Sequence, residues 1–354
     1  MERFIGLDVH ASSTTMAVVG ASGKRLGSKV VETAAASIVE QLCSWSGTTH
    51  VALEEGTQSE WLYEVISPHV AQVVVLHLDE KSSRGQKNDS SDAFGLAERL
   101  RTGSFNSVVY KSVGVFATLR QLCRVHSKVV GDTVRVQNRL KAVFRSRGIA
   151  VDGRGVYGQS KRQSYLSALP LSCRGAALVL YAEFDALKEI GQQAEQDLVA
   201  ESHRHPASRI LESCPGMGPI RVAQALAVIV SPRRFRTRQQ LWSYSGLGIV
   251  MRSSSDWIRQ DGNWMRAELS KTRGLNRNFN RLLKRVFKGA ATTVITLYGT
   301  DEPLRRDYER LLAAGTKPNL AKLTLARKIA ATVWSMWKKE ESYNPQAQTT
   351  SKHS

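Results

Sequence analysis

Lys87-Asn88-Asp89-Ser90-Ser91-Asp92-Ala93 decides how this chain is read. It places two carboxylates, Asp89 and Asp92, three residues apart at the start of an expected helix, Ser91 to Leu100. Residues at i and i+3 share one helix face, so both acids can point the same way. Two further acids close apolar stretches upstream. Asp8 ends Phe4-Ile5-Gly6-Leu7-Asp8, and Glu54 ends His50-Val51-Ala52-Leu53-Glu54. Acids converging from separate elements are what a two-metal phosphoryl-transfer site requires: hard oxygen ligands for Mg²⁺.

Around that stretch the pattern is strand-rich. Arg3–Val9, Thr14–Gly20 and Arg25–Val31 read as strands, with Ala21-Ser22-Gly23-Lys24 as a hairpin turn. Helical spacing over Ser37–Trp45 precedes the strand ending at Glu54, and a helix is expected over Glu60–Ile66. Val70–Leu78 is nearly unbroken apolar sequence, which suits a central parallel strand. Asp79–Asp89 is a polar loop with Lys81, Arg84 and Lys87. Three antiparallel strands followed by crossover units is an α/β ribonuclease-H-like plan, with Asp8, Glu54 and Asp89/Asp92 at its acid positions. The sugar-kinase and actin-like fold also opens on strand-Gly-x-Asp, but it needs glycine-rich phosphate loops, and this sequence has neither GxGxxG nor GxxxxGKS.

At 354 residues the chain has room for two or three domains. No apolar run approaches a membrane span, and Met1-Glu2-Arg3-Phe4 leads straight into a strand rather than a signal peptide. Cys43, Cys123, Cys173 and Cys214 are scattered, with no CxxC, as expected of reduced and mostly buried thiols in a cytoplasmic protein. The net charge is +19 and uneven: residues 1–100 carry 8 Lys/Arg against 13 Asp/Glu, net −5, and the remainder is net +24. An acidic first domain with a basic remainder fits acids gathered for metal and a surface for a polyanion. A generic basic protein shares that balance, so charge indicates nucleic acid without indicating chemistry.

Beyond residue 109 helices dominate. Val113–Arg147 is a basic amphipathic stretch that could lie along a phosphate backbone or form the wet face of a bundle. Residues 148–165 are Gly-, Ser- and Arg-rich and read as a loop. Ala176–Ser202 is a long helix with imperfect heptads, a candidate coiled coil and dimer contact. Cys214-Pro215-Gly216-Met217-Gly218-Pro219 then leads into a helix, Ile220–Val230, in a helix-hairpin-helix-like pattern. There Gly216 and Gly218 would offer backbone N–H groups to phosphate. Arg233, Arg234, Arg252, Arg273, Arg277 and Lys284, interleaved with Trp264 and Phe279, are candidate nucleic-acid contacts. Leu320–Trp337 is a closing amphipathic helix, and Ser342–Ser354 has no helical pattern and reads as a disordered tail.

Three blocks together give a resemblance that spans most of the chain. They are Ile5-Gly6-Leu7-Asp8 with Val51-Ala52-Leu53-Glu54, then Lys87-Asn88-Asp89-Ser90-Ser91-Asp92-Ala93, then Leu211-Glu212-Ser213-Cys214-Pro215-Gly216-Met217-Gly218 with Ser245-Gly246-Leu247 and a serine cluster. In this order the chain resembles the bridge-RNA-guided insertion-sequence transposases, the DEDD recombinases. The resemblance implies a RuvC-like domain at 1–108 with Asp8, Glu54, Asp89 and Asp92 on Mg²⁺, for which Mn²⁺ could substitute. It further implies a helical linker and coiled coil at 109–205, a transposase domain with a nucleophilic serine at 206–340, and a tail at 341–354. Counting from Gly246-Leu247 the nucleophile falls on Ser254. The sequence departs from the family's Ser-Gly, reading Ser253-Ser254-Ser255-Asp256, so Ser253 stands as an alternative. Glu55 is likewise an alternative to Glu54. The implied partners are a guide RNA, donor and target DNA, and further copies of the chain, a dimer assembling to a tetramer. A rival from another class is a structure-selective, metal-dependent endonuclease in which water attacks. A second rival is a non-catalytic nucleic-acid binder, which four retained acids disfavour.

Overall fold

The computed structural model describes residues 1–77, 88–105, 108–109, 116–151, 153–254, 257–260, 263–266, 270–276 and 278–346. At 251–254, 257–258, 266 and 270–273 it describes the backbone alone. Of the expected loop 79–89, residues 79–87 with Lys81, Arg84 and Lys87 lie outside those residues, as does Arg277. The chain divides into two compact units, Met1–Val115 and Phe116–Ser354.

In the first unit, β1 (Glu2–Val9), β2 (Ser13–Gly20), β3 (Arg25–Glu32), β4 (Thr48–Glu54), β5 (Gln72–Leu76) and β6 (Val108–Val109) form one sheet in the order 3-2-1-4-5-6. β1 pairs antiparallel with β2 and parallel with β4, which is parallel to β5. This mixed α/β sheet is consistent with the ribonuclease-H-like plan.

Side-chain alternation splits the strands between two faces. Ile5, Leu7, Met16, Val18, Val51, Leu53 and Val75 pack with Ile38 and Leu42 of α1 (Ala35–Cys43) and with Leu62 and Ile66 of α2 (Ser59–Ile66). The opposite face, with Phe4, Ala52, Val74 and Leu76, receives Leu96 and Leu100 of α3 (Asp89–Thr102). By the same alternation Gly6 and Asp8 follow Phe4, and Glu54 follows Ala52, onto the α3 face. Asn88 precedes α3, and its side chain accepts from Ser90 N at 3.1 Å and caps the helix.

The second unit is mainly helical. α4 (Phe116–Arg145) and α6 (Leu171–His203) pack along one another, with Val136, Leu140 and Phe144 against Ala177, Tyr181 and Phe184. The long helix expected to pair as a coiled coil thus finds its partner inside its own chain. The expected loop at 148–165 contains a 3₁₀ turn at Gly155–Tyr157 and α5 (Gln159–Ala168). Its Gly- and Ser-rich composition hid the helix, whose hydrophobic contacts with the α4–α6 core are Tyr165 and Leu166 and whose Arg162 pairs with Asp185 of α6.

A larger core joins α7 (Ala207–Glu212), α8 (Pro219–Ile229), α9 (Arg238–Tyr244), α10 (Arg281–Leu297), α11 (Pro303–Ala313) and α12 (Pro318–Lys339). Between α9 and α10, β7 (Ile249–Ser254) pairs antiparallel with β10 (Ser270–Leu275), and the hairpin of β8 (Trp257–Gln260) and β9 (Asn263–Arg266) stands between them. The expected disorder from Ser342 does not hold at its start. Tyr343 N donates to Ser213 Oγ at 2.8 Å, and its hydroxyl donates to Glu302 Oε1 at 2.5 Å. Residues 347–354 lie outside the described set. No described helix is long and apolar enough to cross a membrane.

Candidate functional site

The geometry of the acids begins at Gly6. A Cβ there would lie 1.9 Å from Ala93 O and 2.7 Å from Ala97 N. Only glycine lets α3 come this close to β1. The helix therefore crosses the sheet with its first turn, carrying Asp89 and Asp92, beside the end of β1 that carries Asp8.

Asp8, His10 and Asp89 meet there, with one ligand atom from each within 4.8 Å of the others. His10 Nε2 is 3.3 Å from Asp8 Oδ2 and 3.7 Å from Asp89 Oδ2. Burial pushes the Asp8 carboxyl above its usual range. His10 pulls it back down, and the charges of Asp89 and Asp92 push it up again. Concentrated negative charge that resists ionisation is what a bound cation relieves, and carboxylate oxygens with one imidazole suit a divalent metal.

Glu54 ends β4 in register beside β1, where Leu53 pairs with Leu7. It is exposed and stands outside the tight group of three. Its neighbour Glu55 meets His77 instead, with Nδ1 3.1 Å from Oε2. Sequence reasoning missed His10. The signal was Asp8-Val9-His10, a spacing of two that puts His10 just past the end of β1 and near Asp8.

The candidates of the second unit are more dispersed. Gly216 is buried and its carbonyl accepts from Arg221 Nη1 at 2.7 Å, so this glycine serves packing, while Gly218 is exposed. Arg234 donates to Val228 O at 2.9 Å and lies 4.5 Å over the Tyr244 ring, tied into the fold, whereas Arg233 is exposed. Ser253 and Ser254 are the last two residues of β7, paired with Lys271 and Ser270, and Arg252 and Arg273 lie on the same two strands. The side chains of these four residues lie outside the described set, as does Arg277 altogether. Lys284 is half-buried with its ammonium 4.1 Å from the Phe279 ring centroid, and burial and Lys288 lower its pKa.

Comparisons with known proteins agree with this layout. Residues 5–147 match the DEDD transposase family of the IS110 type, and residues 208–308 match the transposase family IS116/IS110/IS902. The chain is similar to a 44.8 kDa protein of insertion element IS116 from Streptomyces clavuligerus, 23% identical over 306 residues and covering 73% of each. It is also similar to a "probable family 20 transposase" of Pseudomonas aeruginosa, 22% identical over 302 residues, 83% of this chain and 86% of that one. One match covers the acid-bearing sheet and the other the helices around β7, and by both the chain belongs to the IS116/IS110/IS902 family of DNA transposases.

Proposed function

We propose that this transposase cuts and rejoins DNA through a covalent phosphoserine link at Ser254, with Ser253 as the alternative. In this reading Asp8, Glu54, Asp89 and Asp92 hold Mg²⁺ in a RuvC-like domain at 1–108. Residues 109–205 form the helical linker, 206–340 the serine-bearing transposase domain and 341–354 the tail. The observation that carries the reading is the convergence of Asp8 and Asp89, with His10, at the point where Gly6 admits α3. Asp92 lies close enough to bear on Asp8, and strand parity favours Glu54 over Glu55.

A divalent cation at that site would neutralise the phosphate and favour an ionised nucleophile. Mn²⁺ would serve the same oxygen ligands. The chemistry then balances without a nucleotide. The serine hydroxyl gives up its proton as Oγ attacks phosphorus, an Oγ–P bond forms, the P–O bond to the deoxyribose breaks, and the departing deoxyribose oxygen takes up a proton to become a hydroxyl. The phosphoester is retained, so the reverse attack rejoins strands.

A guide RNA pairing with donor and target DNA supplies the sequence choice, and copies of the chain assemble as a dimer and then a tetramer. The protein works in the cytoplasm at the bacterial nucleoid. The testing experiment incubates the protein with its element-end DNA and Mg²⁺, denatures it, and resolves protein carrying covalent DNA. Ser254→Ala is expected to abolish the adduct and Ser253→Ala to keep it. Undiminished cutting by Ser254→Ala with no adduct would instead favour water as nucleophile, the structure-selective endonuclease reading.

A further inference from the structure

A groove of about 470 Å³ runs along α10 in the second unit. Four cations of that helix line it, Arg281, Lys284, Arg285 and Lys288, at i, i+3, i+4 and i+7. Lys322 of α12 faces them, and Phe279 lies at one end. No carboxylate lines it.

These cations differ from others in the same unit. Arg139, Arg162, Arg204, Arg305, Arg310 and Lys328 each have a carboxylate partner. Among the described residues none of the five groove cations makes an ion pair. Lys284 is half-buried, and burial and Lys288 disfavour its charge. Uncompensated positive charge held together by a rigid helix is relieved by a polyanion. The row from Arg281 to Lys288 spans about 10 Å at 1.5 Å per residue. That length matches roughly three phosphate-to-phosphate spacings at about 3.4 Å of axis per strand.

The groove also lies at the root of the β7–β10 ribbon. Gly246, at φ +66°, would place a Cβ 2.4 Å from Phe279 Cγ, so the ring lies directly on the turn that starts β7. Asn280 N donates to Tyr244 O at 2.7 Å, and Asn276 Nδ2 donates to Ser243 O at 3.3 Å. The entry to α10 is thereby clamped to the exit of α9. From Ile249 the strand runs to Ser254, about 17 Å at about 3.4 Å per residue.

We infer that the α10 groove grips the sugar–phosphate backbone of DNA and anchors it at the root of the ribbon that carries Ser253 and Ser254. DNA is the polyanion that a transposase must hold. That the groove takes a polyanion follows from its charge and that the polyanion is DNA from the family, while the anchoring role rests on the serine reading above. The anchored phosphates would then lie about five nucleotides of duplex from the cut, taking about 3.4 Å per nucleotide.

The test uses the full chain with metal chelated and a labelled DNA duplex of about 40 base pairs, titrated across salt concentrations. The variant is Lys284→Gln/Lys288→Gln/Lys322→Gln. Its affinity at about 100 mM salt is expected to fall at least tenfold, and its slope of log affinity against log salt to become shallower by about 2 to 3. Its melting temperature should be unchanged or higher, since like charges are removed. An unchanged slope for DNA would overturn the proposal. A slope that falls only for an RNA duplex of the same sequence would overturn it in favour of an RNA track. Failure of the serine reading would show separately, as undiminished cutting with no covalent adduct in Ser254→Ala and in Ser253→Ala, while the groove variant still shows the shallower salt slope.

Discussion

Asp8 is held partly buried against two other acids, and the sign of that arrangement can be tested. Its carboxyl titrates above the ordinary range in the fold, first because of burial. A folded-state pKa above the unfolded one gives stability at low pH that is lost as pH rises through the raised value. In chelator, Asp8→Asn should therefore gain stability relative to wild type as pH climbs from below the ordinary carboxylate range to neutrality. Thermal unfolding of the pair at several pH values reads this directly, and a difference that does not grow with pH would oppose it. Adding Mg²⁺ should reverse the order, because only wild type then binds the ion fully. Asp92→Asn should abolish cleavage with a melting temperature equal to or above wild type, and a large drop in melting temperature would make the acid structural. These acids were legible because each ends or begins an apolar element. His10 was not, since its spacing of two from Asp8 says little by itself and only the α3 crossing brings Asp89 to it.

The crossing of α3 over β1 is where element packing sets site geometry. Gly6→Ala puts a methyl group into Ala93 O, a backbone atom that cannot rotate away. Overpacking of this kind costs about 1–3 kcal/mol. It should lower the melting temperature accordingly, and it should reduce cleavage further than the stability loss explains, because α3 carries Asp89 and Asp92 outward with it. Cleavage measured well below the variant's melting point separates the two effects, and normal cleavage there would show that the crossing does not position the acids. The strands and the helix were readable from period-2 and period-3.6 patterning, but the closeness of the crossing depends on which glycine faces which helix. The same limit hid α5, which lacks an amphipathic pattern, and the Tyr343 anchor, a single aromatic in a polar tail. Tyr343→Phe removes the hydroxyl that donates to Glu302, whose carboxylate also accepts from Leu304 N at the start of α11. The expected cost is about 1 kcal/mol, read as a lower melting temperature.

Across the whole molecule, charge and chemistry are segregated. The unit Met1–Val115 holds 10 Lys/Arg against 13 Asp/Glu, net −3, and Phe116–Ser354 is net +22. Each unit has hydrophobic clusters of its own. That division was visible in the sequence as a change of composition, because charge survives in a linear reading. The grouping of Lys322 with α10 was not visible, since those residues meet only through the α10–α12 packing. The segregation predicts how affinity divides when the chain is cut between the units. Residues 116–354 alone should bind a DNA duplex with nearly the affinity and salt slope of the full chain, because the excess positive charge sits there. Residues 1–115 alone should bind weakly in chelator, where an acidic surface repels phosphate, and should gain affinity when Mg²⁺ bridges the two. Fluorescence anisotropy on both fragments across salt, with and without Mg²⁺, decides it. Strong metal-independent binding by 1–115 would mean that the first unit has a phosphate surface of its own, and the separation of metal chemistry from backbone grip would fail.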